Sequence, residues 1–206
     1  NTVGKLMLDG PEIIHRIIDE GHELASHSYD HTILAGRNAR ELRDDMRATR
    51  EIVESFGGTL RGVRSPQSRW SFLQMRVMIQ EGLQWSAENH KQCQPFFLPG
   101  GGGKALLRLP VIFDDWEYES HSLSPDEMYN RLVAKAEVIA DRRGYGALGF
   151  HPWVQAEHHG RLEVFERFVD YLAQHTRLRT LTFDEASCFF RESASRLASE
   201  RSIAGE

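Results

Sequence analysis

The fold is decided by residues 11–31, which read PEIIHRIIDEGHELASHSYDH. Pro11 favours the first turn of a helix, the isoleucines after it form one apolar face, and Gly21 is a typical helix end. Residues 23–26 then predict a short strand, and a polar cluster begins directly after it at His27. A helix, a strand and a polar loop in this order are the repeating parts of a parallel α/β sheet.

The same alternation continues along the rest of the chain. The predicted helices span residues 38–56, 70–81, 124–144 and 162–174, with a last one from 182, and the predicted strands span 60–63, 83–86, 106–112, 147–150 and 178–181. The irregular stretch 89–104 contains four consecutive glycines and is predicted to be a flexible loop, because no lysine-serine pattern of a phosphate-binding loop follows. We expect one α/β domain over residues 1–195, with an open doubly wound sheet or a barrel, and a fraying tail over 196–206.

The composition excludes several classes of protein. Hydrophobic residues make up 40% and charged residues 27% of the 206, which is typical of a globular domain and excludes collagen-like and wholly disordered chains. No apolar run approaches the roughly 20 residues of a membrane-spanning helix. The formal charge of −5 argues against nucleic acid as the main partner. Two cysteines without metal-type spacing favour a reducing compartment such as the cytoplasm.

Polar side chains with catalytic chemistry follow four of the predicted strands. They are His27-Ser28-Tyr29-Asp30-His31, Arg64-Ser65-Pro66, Asp114-Asp115-Trp116 and His151-Pro152-Trp153. In a barrel of parallel strands the active site lies where strands end and loops begin. The four clusters are therefore the candidate site.

The first cluster contains a histidine pair with metal-ligand spacing. His27 and His31 are four residues apart, so one helical turn would place both imidazoles on one side. Two imidazoles suit Zn²⁺ or a similar divalent ion, which needs at least one further protein ligand. The alternative is that one histidine caps a helix and the other is exposed. His22-Glu23 does not begin a metalloprotease motif, because residue 26 is serine.

The other clusters supply an acid and its partners. His151 is a natural general acid for a departing amine, the alternative being a hydrogen-bonded structural histidine. Asp115, or equally its neighbour Asp114, would hold the imidazole protonated and oriented. Arg64 suits a carboxylate in the site through its bidentate fork, or else a surface ion pair.

Together the clusters resemble the polysaccharide deacetylase (NodB-homology, carbohydrate esterase 4-like) family. Residues 19–31 resemble its second motif, in which His-Ser/Thr-x-x-His supplies two metal ligands. The later motifs are matched by Arg64-Ser65-Pro66, Asp115-Trp116 and Phe150-His151. Leu109-Pro110 and Gly160-Arg161 are similar to the branch of peptidoglycan-deacetylase-like and allantoinase-like proteins. The resemblance runs from about Pro11 to Cys188.

The resemblance implies a fold, a reaction and a set of residues. The fold is a distorted (β/α) barrel, and the reaction is hydrolysis of a non-peptide carbon–nitrogen bond, foremost metal-dependent N-deacetylation of an N-acetylated sugar or polysaccharide. A divalent ion, zinc in the first place, would be held by His27 and His31, with Arg64, Asp115 and His151 as the catalytic residues. The residues expected to contact a small-molecule or saccharide substrate are Pro66, Trp116, Trp153 and Arg161. The branch is compatible with a homo-oligomer.

One family motif has no counterpart in the chain. Thr-Phe-Asp-Asp supplies the catalytic base and the third metal ligand in the family, and nothing before His27 matches it. Leu8-Asp9-Gly10 precedes a helix instead of lying on a strand. We therefore expect the chain to lack the first one or two strands of the barrel, and the third metal ligand to come from that missing region.

Two other functions fit the same residues. The first is a metal-independent hydrolase of a cyclic amide, as in the allantoinase-like proteins, in which the two histidines would hold substrate or water. The second is a non-catalytic carbohydrate-binding or assembly protein that has kept the fold and lost its base. Metal content separates the first from a deacetylase, and saccharide binding without turnover identifies the second.

Overall fold

The computed structural model describes residues 1–90, 93–115 and 123–204, with side chains up to residue 200. The helices of these ranges are α1 (Gly4–Asp9), α2 (Pro11–Asp19), α3 (Ala39–Ser55), α4 (Phe72–Gln80), α5 (Pro125–Asp141), α6 (Pro152–Glu157), α7 (Arg161–Gln174) and α8 (Phe183–Ala204). The strands are β1 (Gly62–Val63), β2 (Trp85–Asn89), β3 (Phe96–Gly101), β4 (Lys104–Asp114) and β5 (Ala147–Gly149). They form one sheet in the order β1-β2-β4-β3, with β5 also paired to β4, and the predicted α/β class is confirmed.

The chain divides into two compact units. The first combines Asn1–Glu88, Pro95–Leu109 and Leu181–Glu206, and the second combines Asn89–Gln94 and Pro110–Thr180. Strand β4 begins in the first unit and ends in the second.

The first unit contains the helices whose ends the sequence marks most clearly. The Asn38 side chain caps α3 by accepting hydrogen bonds from the amides of Arg40 and Glu41, and the Glu41 carboxylate accepts one from the Asn38 amide. This helix buries an apolar stripe that includes Leu42, Met46 and Val53. In the sheet of this unit, β1 and β2 are parallel, with Gly62 opposite Trp85. The Trp85 ring occupies the space beside Gly62, so that a Cβ there would lie 1.9 Å from it.

The last helix of the first unit is capped from a distant part of the chain. Glu23 accepts the amides of Phe183 (3.1 Å) and Asp184 (2.8 Å), which are the first two residues of α8. The indole Nε1 of Trp85 donates to the Asp184 carboxylate at 2.6 Å. These bonds satisfy N–H groups that a helix N-terminus leaves without intrahelical partners.

The glycine-rich stretch is an ordered hairpin and not the predicted flexible loop. Strand β3 pairs antiparallel with the start of β4, from Phe96 opposite Arg108 to Gly101 opposite Lys104. Gly102 and Gly103 form the turn with φ values of 59° and 76°, which glycine adopts without strain. The prediction was wrong because it took the glycines as a sign of mobility, although glycine is also the residue that a tight strand turn requires.

The second unit is built on the end of β4 and on β5, which are parallel. Helix α5 begins with a capping box between Ser124 and Glu127. The core of this unit contains the apolar side chains of α5 and α7 together with those of the strands, among them Phe113, Met128, Leu132, Val164 and Phe168.

Three further elements differ from the sequence prediction. The predicted strand 23–26 is reduced to single bridges of Ser26 with Thr2 and Val63. Residues 178–181 form no strand pairing, and α8 continues to Ala204.

Cys93 and Cys188 are both exposed free thiols. Over the described residues, every helix is too short or too polar to cross a membrane.

Candidate active site

The two predicted metal-ligand histidines lie on a loop, not on the helical turn that the spacing suggested. Ser26 is bridged by neighbouring backbone on both sides, and the chain turns away directly after it. Ser28 and His31 take left-handed backbone conformations, with φ values of 62° and 66°, which no helical turn contains. This turn brings the rings of His27 and His31 to a centroid separation of 5.0 Å at an angle of 62°.

The hydrogen bonding of His27 defines which of its nitrogens is free. Its Nδ1 lies 2.8 Å from the backbone oxygen of Arg64. A carbonyl oxygen can only accept, so Nδ1 carries the proton. Burial, as the main cause, lowers the pKa of His27 to about 4, and the ring is therefore neutral at pH 7. A neutral ring protonated at Nδ1 presents the lone pair of Nε2, the form in which histidine ligates metals.

The histidine pair fits a divalent metal ion as part of a ligand set. Two imidazoles that bind one tetrahedral Zn²⁺ at about 2.1 Å have ring centres about 5 Å apart, which agrees with the observed separation. A zinc site needs at least one more protein ligand. In the described ranges, the group of three acidic or histidine residues close enough to hold an ion is Asp114, Asp115 and His151.

A small acidic cleft lies beside this loop. It has a volume of about 250 Å³, and its lining includes Tyr29, Asp30, Arg37 and Asp45. Asp45 accepts the Tyr29 amide at 2.9 Å and so supports the loop between the two histidines. Burial, reinforced by the charge of Asp30, raises the pKa of Asp45 to about 6.

The Arg64 turn follows strand β1 directly. The Arg64 amide donates to the backbone oxygen of Ser26 at 2.9 Å, which ties the turn to the start of the histidine loop. Pro66 is buried and lies in a tight turn that is closed by a hydrogen bond from the Ser68 amide to the Ser65 carbonyl at 2.9 Å. Gln67 and Ser68 follow with φ values of 55° and 52°. Two consecutive residues other than glycine in this region indicate a backbone held by its surroundings.

In the second unit, Asp115 and His151 form a tightly bonded pair. Asp115 follows the last residue of β4 and is 0% exposed. One of its oxygens accepts the His151 Nδ1 proton at 2.5 Å, and the other accepts the His151 amide at 2.6 Å. His151 stands at the N-terminus of α6, where Pro152 fixes the chain direction. The proton on Nδ1 leaves Nε2 as the nitrogen that can exchange a proton with a ligand.

The structure distinguishes between the two aspartates that the sequence left open. The nearest carboxylate oxygen of Asp114 is 3.5 Å from His151 Nδ1, against 2.5 Å for Asp115. Gln155, one turn further along α6, also donates to Asp115, at 2.9 Å. Gln155 was not among the predicted residues, because the sequence pattern indicated no helix after His151. Since Asp115 already accepts three hydrogen bonds, the group of Asp114, Asp115 and His151 is better suited to proton transfer than to metal binding.

The residues predicted to contact the substrate differ in their exposure to solvent. Trp153 is 39% exposed, and its ring centre lies 6.1 Å from that of His151. Arg161 is the first residue of α7 and only 9% exposed. Pro66 is buried in its turn. Trp116 lies outside the described residues.

Comparison with known proteins finds a family match for the first part of the chain. Residues 2–85, which include His27, His31 and Arg64, match the family model "Polysaccharide deacetylase". The chain is 29% identical to a chitooligosaccharide deacetylase of Bradyrhizobium sp. (strain ANU 289) over 99 residues, which are 46% of the chain and 45% of that protein. The match thus spans about half the length of that relative.

Solved structures extend the likeness to the whole fold. A Mycobacterium smegmatis protein assigned to the polysaccharide deacetylases aligns with a TM-score of 0.83 at 22% identity, covering 93% of this chain and 71% of that one. The Puue allantoinase aligns with a TM-score of 0.75 at 19% identity, covering 90% and 64%. Residues 2–85 thus match the polysaccharide deacetylase family model, and the fold of the chain matches the NodB-type (β/α) barrels among the solved structures.

Proposed function

We propose that the protein is a metal-dependent N-deacetylase that removes the acetyl group from an N-acetylated sugar or polysaccharide. The main support for the proposal is the hydrogen bonding of His27 and its position beside His31. Its ring is neutral, is protonated at Nδ1 by its bond to the Arg64 carbonyl, and has its centre 5.0 Å from that of His31. This arrangement lies within the segment that matches the deacetylase family model.

The two histidines take the role of metal ligands in this proposal. His27 and His31 would hold a divalent ion, for which zinc is the best fit to two imidazoles. When bound, such an ion polarises the amide carbonyl and stabilises the negative charge that develops on its oxygen. Arg64 would orient an acidic residue that takes the proton of the attacking water.

His151 takes the role of general acid. Water adds to the carbonyl carbon, the carbon–nitrogen bond breaks, and the nitrogen needs a proton to leave as an amine. Nε2 of His151 donates that proton, while Asp115 keeps the ring in the tautomer with Nδ1 protonated. The products are acetate and the free amino sugar. Trp153, exposed beside His151, is a candidate wall for the sugar.

The experiment is a metal analysis on protein expressed from its full reading frame. Elemental mass spectrometry should find close to one zinc-like ion per chain in the wild type. The ion should be lost in His27→Ala and kept in His22→Ala, which removes an exposed histidine from the same region. Acetate release from an N-acetylated chitooligosaccharide should likewise be lost in His27→Ala and kept in His22→Ala.

Other outcomes separate the alternatives. A protein without bound metal that hydrolyses cyclic amides is the allantoinase-like enzyme. A protein that binds saccharides without turnover is the non-catalytic one. Deacetylation that survives His27→Ala would refute the metal mechanism.

A further inference from the structure

A fully buried charged pair lies within the first unit, next to the Arg64 turn. Glu88 in β2 is 0% exposed and Arg108 in β4 is 1% exposed. Burial raises the pKa of Glu88 and lowers that of Arg108, since it disfavours the charged form of each. The guanidinium of Arg108 also lies 4.3 Å from the ring centre of Trp70. Ionised side chains are rarely buried so completely without a specific partner.

The pair is not arranged to maximise its own attraction. Within the described part of the chain, Nε and Nη1 of Arg108 and Oε2 of Glu88 have no hydrogen-bond partner. A pair built for stability would use the bidentate bond that arginine and carboxylate form readily. Instead, Oε1 of Glu88 accepts the backbone amide of Ser65 at 3.0 Å. The carboxylate is thus directed at the turn, not at the arginine.

The amide of Ser65 is one end of the peptide group that fixes His27. The other end of that group is the Arg64 carbonyl, which accepts the His27 Nδ1 proton at 2.8 Å. A trans peptide group is planar, with its N–H and C=O pointing in opposite directions. A carboxylate that holds the N–H therefore sets the direction of the C=O. It also polarises the peptide group and strengthens its carbonyl as an acceptor.

A second contact holds the same turn from the helix side. The Ser65 hydroxyl accepts a hydrogen bond from Nε2 of Gln74 in α4 at 3.0 Å, and both side chains are buried. The two left-handed residues that follow, Gln67 and Ser68, are unfavourable on their own by about 1 kcal/mol or more each. The turn therefore depends on such anchors to keep its shape.

We propose that Glu88 is a positioning residue for His27: through the Arg64–Ser65 peptide group, it keeps the proton of His27 on Nδ1 and Nε2 free for the metal ion. The inference rests on the proposed function for the role of His27 as a ligand. It adds a residue that touches neither the metal nor the substrate. Partners that orient metal-bound histidines in this way commonly change metal affinity by about 10- to 100-fold when they are removed.

The test compares two double variants that differ only at position 88. Glu88→Met with Arg108→Met replaces the pair by apolar side chains, which buried ion pairs often tolerate without loss of stability. Glu88→Gln with Arg108→Met removes the same charges and keeps an oxygen that can accept the Ser65 amide. Circular dichroism and thermal unfolding verify that both are folded.

Three measurements on each protein decide the proposal. Amide hydrogen exchange of Ser65 reports the bond to residue 88. The ¹⁵N shifts of the metal-free His27 ring report its tautomer, and competition titration reports its zinc affinity. In the methionine variant we expect faster exchange at Ser65, a mixture of His27 tautomers and zinc binding about 10- to 100-fold weaker than in the glutamine variant. We also expect kcat for acetate release to fall with little change in KM.

Equal ¹⁵N shifts and equal zinc affinity in the two variants would overturn the inference. If one of them does not fold, Ser65→Pro and Ser65→Ala form a second pair. Proline removes the amide proton and suits the φ of −70° at Ser65, whereas alanine keeps the proton and loses only the hydroxyl. Failure of the proposed function looks different, because the wild type itself would then bind no zinc. The exchange and ¹⁵N data would still decide whether Glu88 controls the His27 tautomer.

Discussion

Replacement of Asp115 by asparagine tests the acid–base half of the proposed mechanism. The carboxylate accepts three hydrogen bonds, and two of them come from His151, at 2.5 Å and 2.6 Å. Asparagine has one accepting oxygen, and its NH₂ group would face a donor. At least one bond to His151 is therefore lost in Asp115→Asn, and the tautomer with the proton on Nδ1 is no longer enforced.

The magnitude follows from the kind of bond that is lost. A hydrogen bond to a charged group contributes about 1.5–3 kcal/mol. If that energy acts on the transition state, its loss lowers kcat/KM about 10- to 150-fold. Asp114→Asn is the matched comparison, because its carboxylate lies 3.5 Å from the same nitrogen. We expect a distinctly smaller loss there.

The assay is acetate release from an N-acetylated chitooligosaccharide by protein from the full reading frame. The ¹⁵N shifts of the His151 ring give a second readout that does not require turnover. The proposed role of Asp115 is refuted if Asp114→Asn lowers kcat/KM as much as Asp115→Asn does. It is equally refuted if Asp115→Asn stays within about threefold of the wild type.

Three further predictions concern stability in urea unfolding. Gly62→Ala should lower the free energy of unfolding by about 2–3 kcal/mol, because its Cβ would lie 1.9 Å from the buried Trp85 ring. As the control, Gly10→Ala should lower it far less, because the nearest atom to its Cβ lies 3.6 Å away. Glu23→Ala should lower the free energy of unfolding by about 1–2 kcal/mol, because the first two amides of α8 lose the carboxylate that accepts their hydrogen bonds. An unchanged urea midpoint would show that water replaces the carboxylate. The pKa of Asp45 is about 6 in the folded chain against an ordinary 3.8, so the stability that this group contributes is full below about pH 4 and is lost as the pH rises through about 6. Asp45→Asn should therefore gain about 2–3 kcal/mol over the wild type between pH 4 and pH 7.5, and a constant difference would contradict the burial argument.

The sequence predicted those parts of the fold that local chemistry determines. Helix α3 begins after Asn38 and helix α5 after Ser124, because in each case the residue three positions on completes a capping box. The Asp115–His151 pair was one of two predicted pairings, because a sequence alone does not show which of two neighbouring aspartates lies closer to the ring.

The rest depended on contacts between distant residues. The histidine spacing suggested a helical turn, but the bridges on both sides of Ser26 and the positive φ of Ser28 make it a loop. Glu88 belongs to no motif, and its proposed role follows from its hydrogen bond with the Ser65 amide, 23 residues earlier in the chain. Trp116 and the substrate-contact role of Arg161 remain predictions.

The division of the chain into two units has a consequence for the order of folding. The second unit is assembled mostly from one continuous segment, Pro110–Thr180, whereas the first needs segments from both sides of it. The Glu23 bonds to α8 join residues that are 160 and 161 positions apart. Contacts this distant in sequence form slowly, because a long loop must close before they contribute. During synthesis the second unit can therefore acquire its structure before α8, which completes the first unit, has been made.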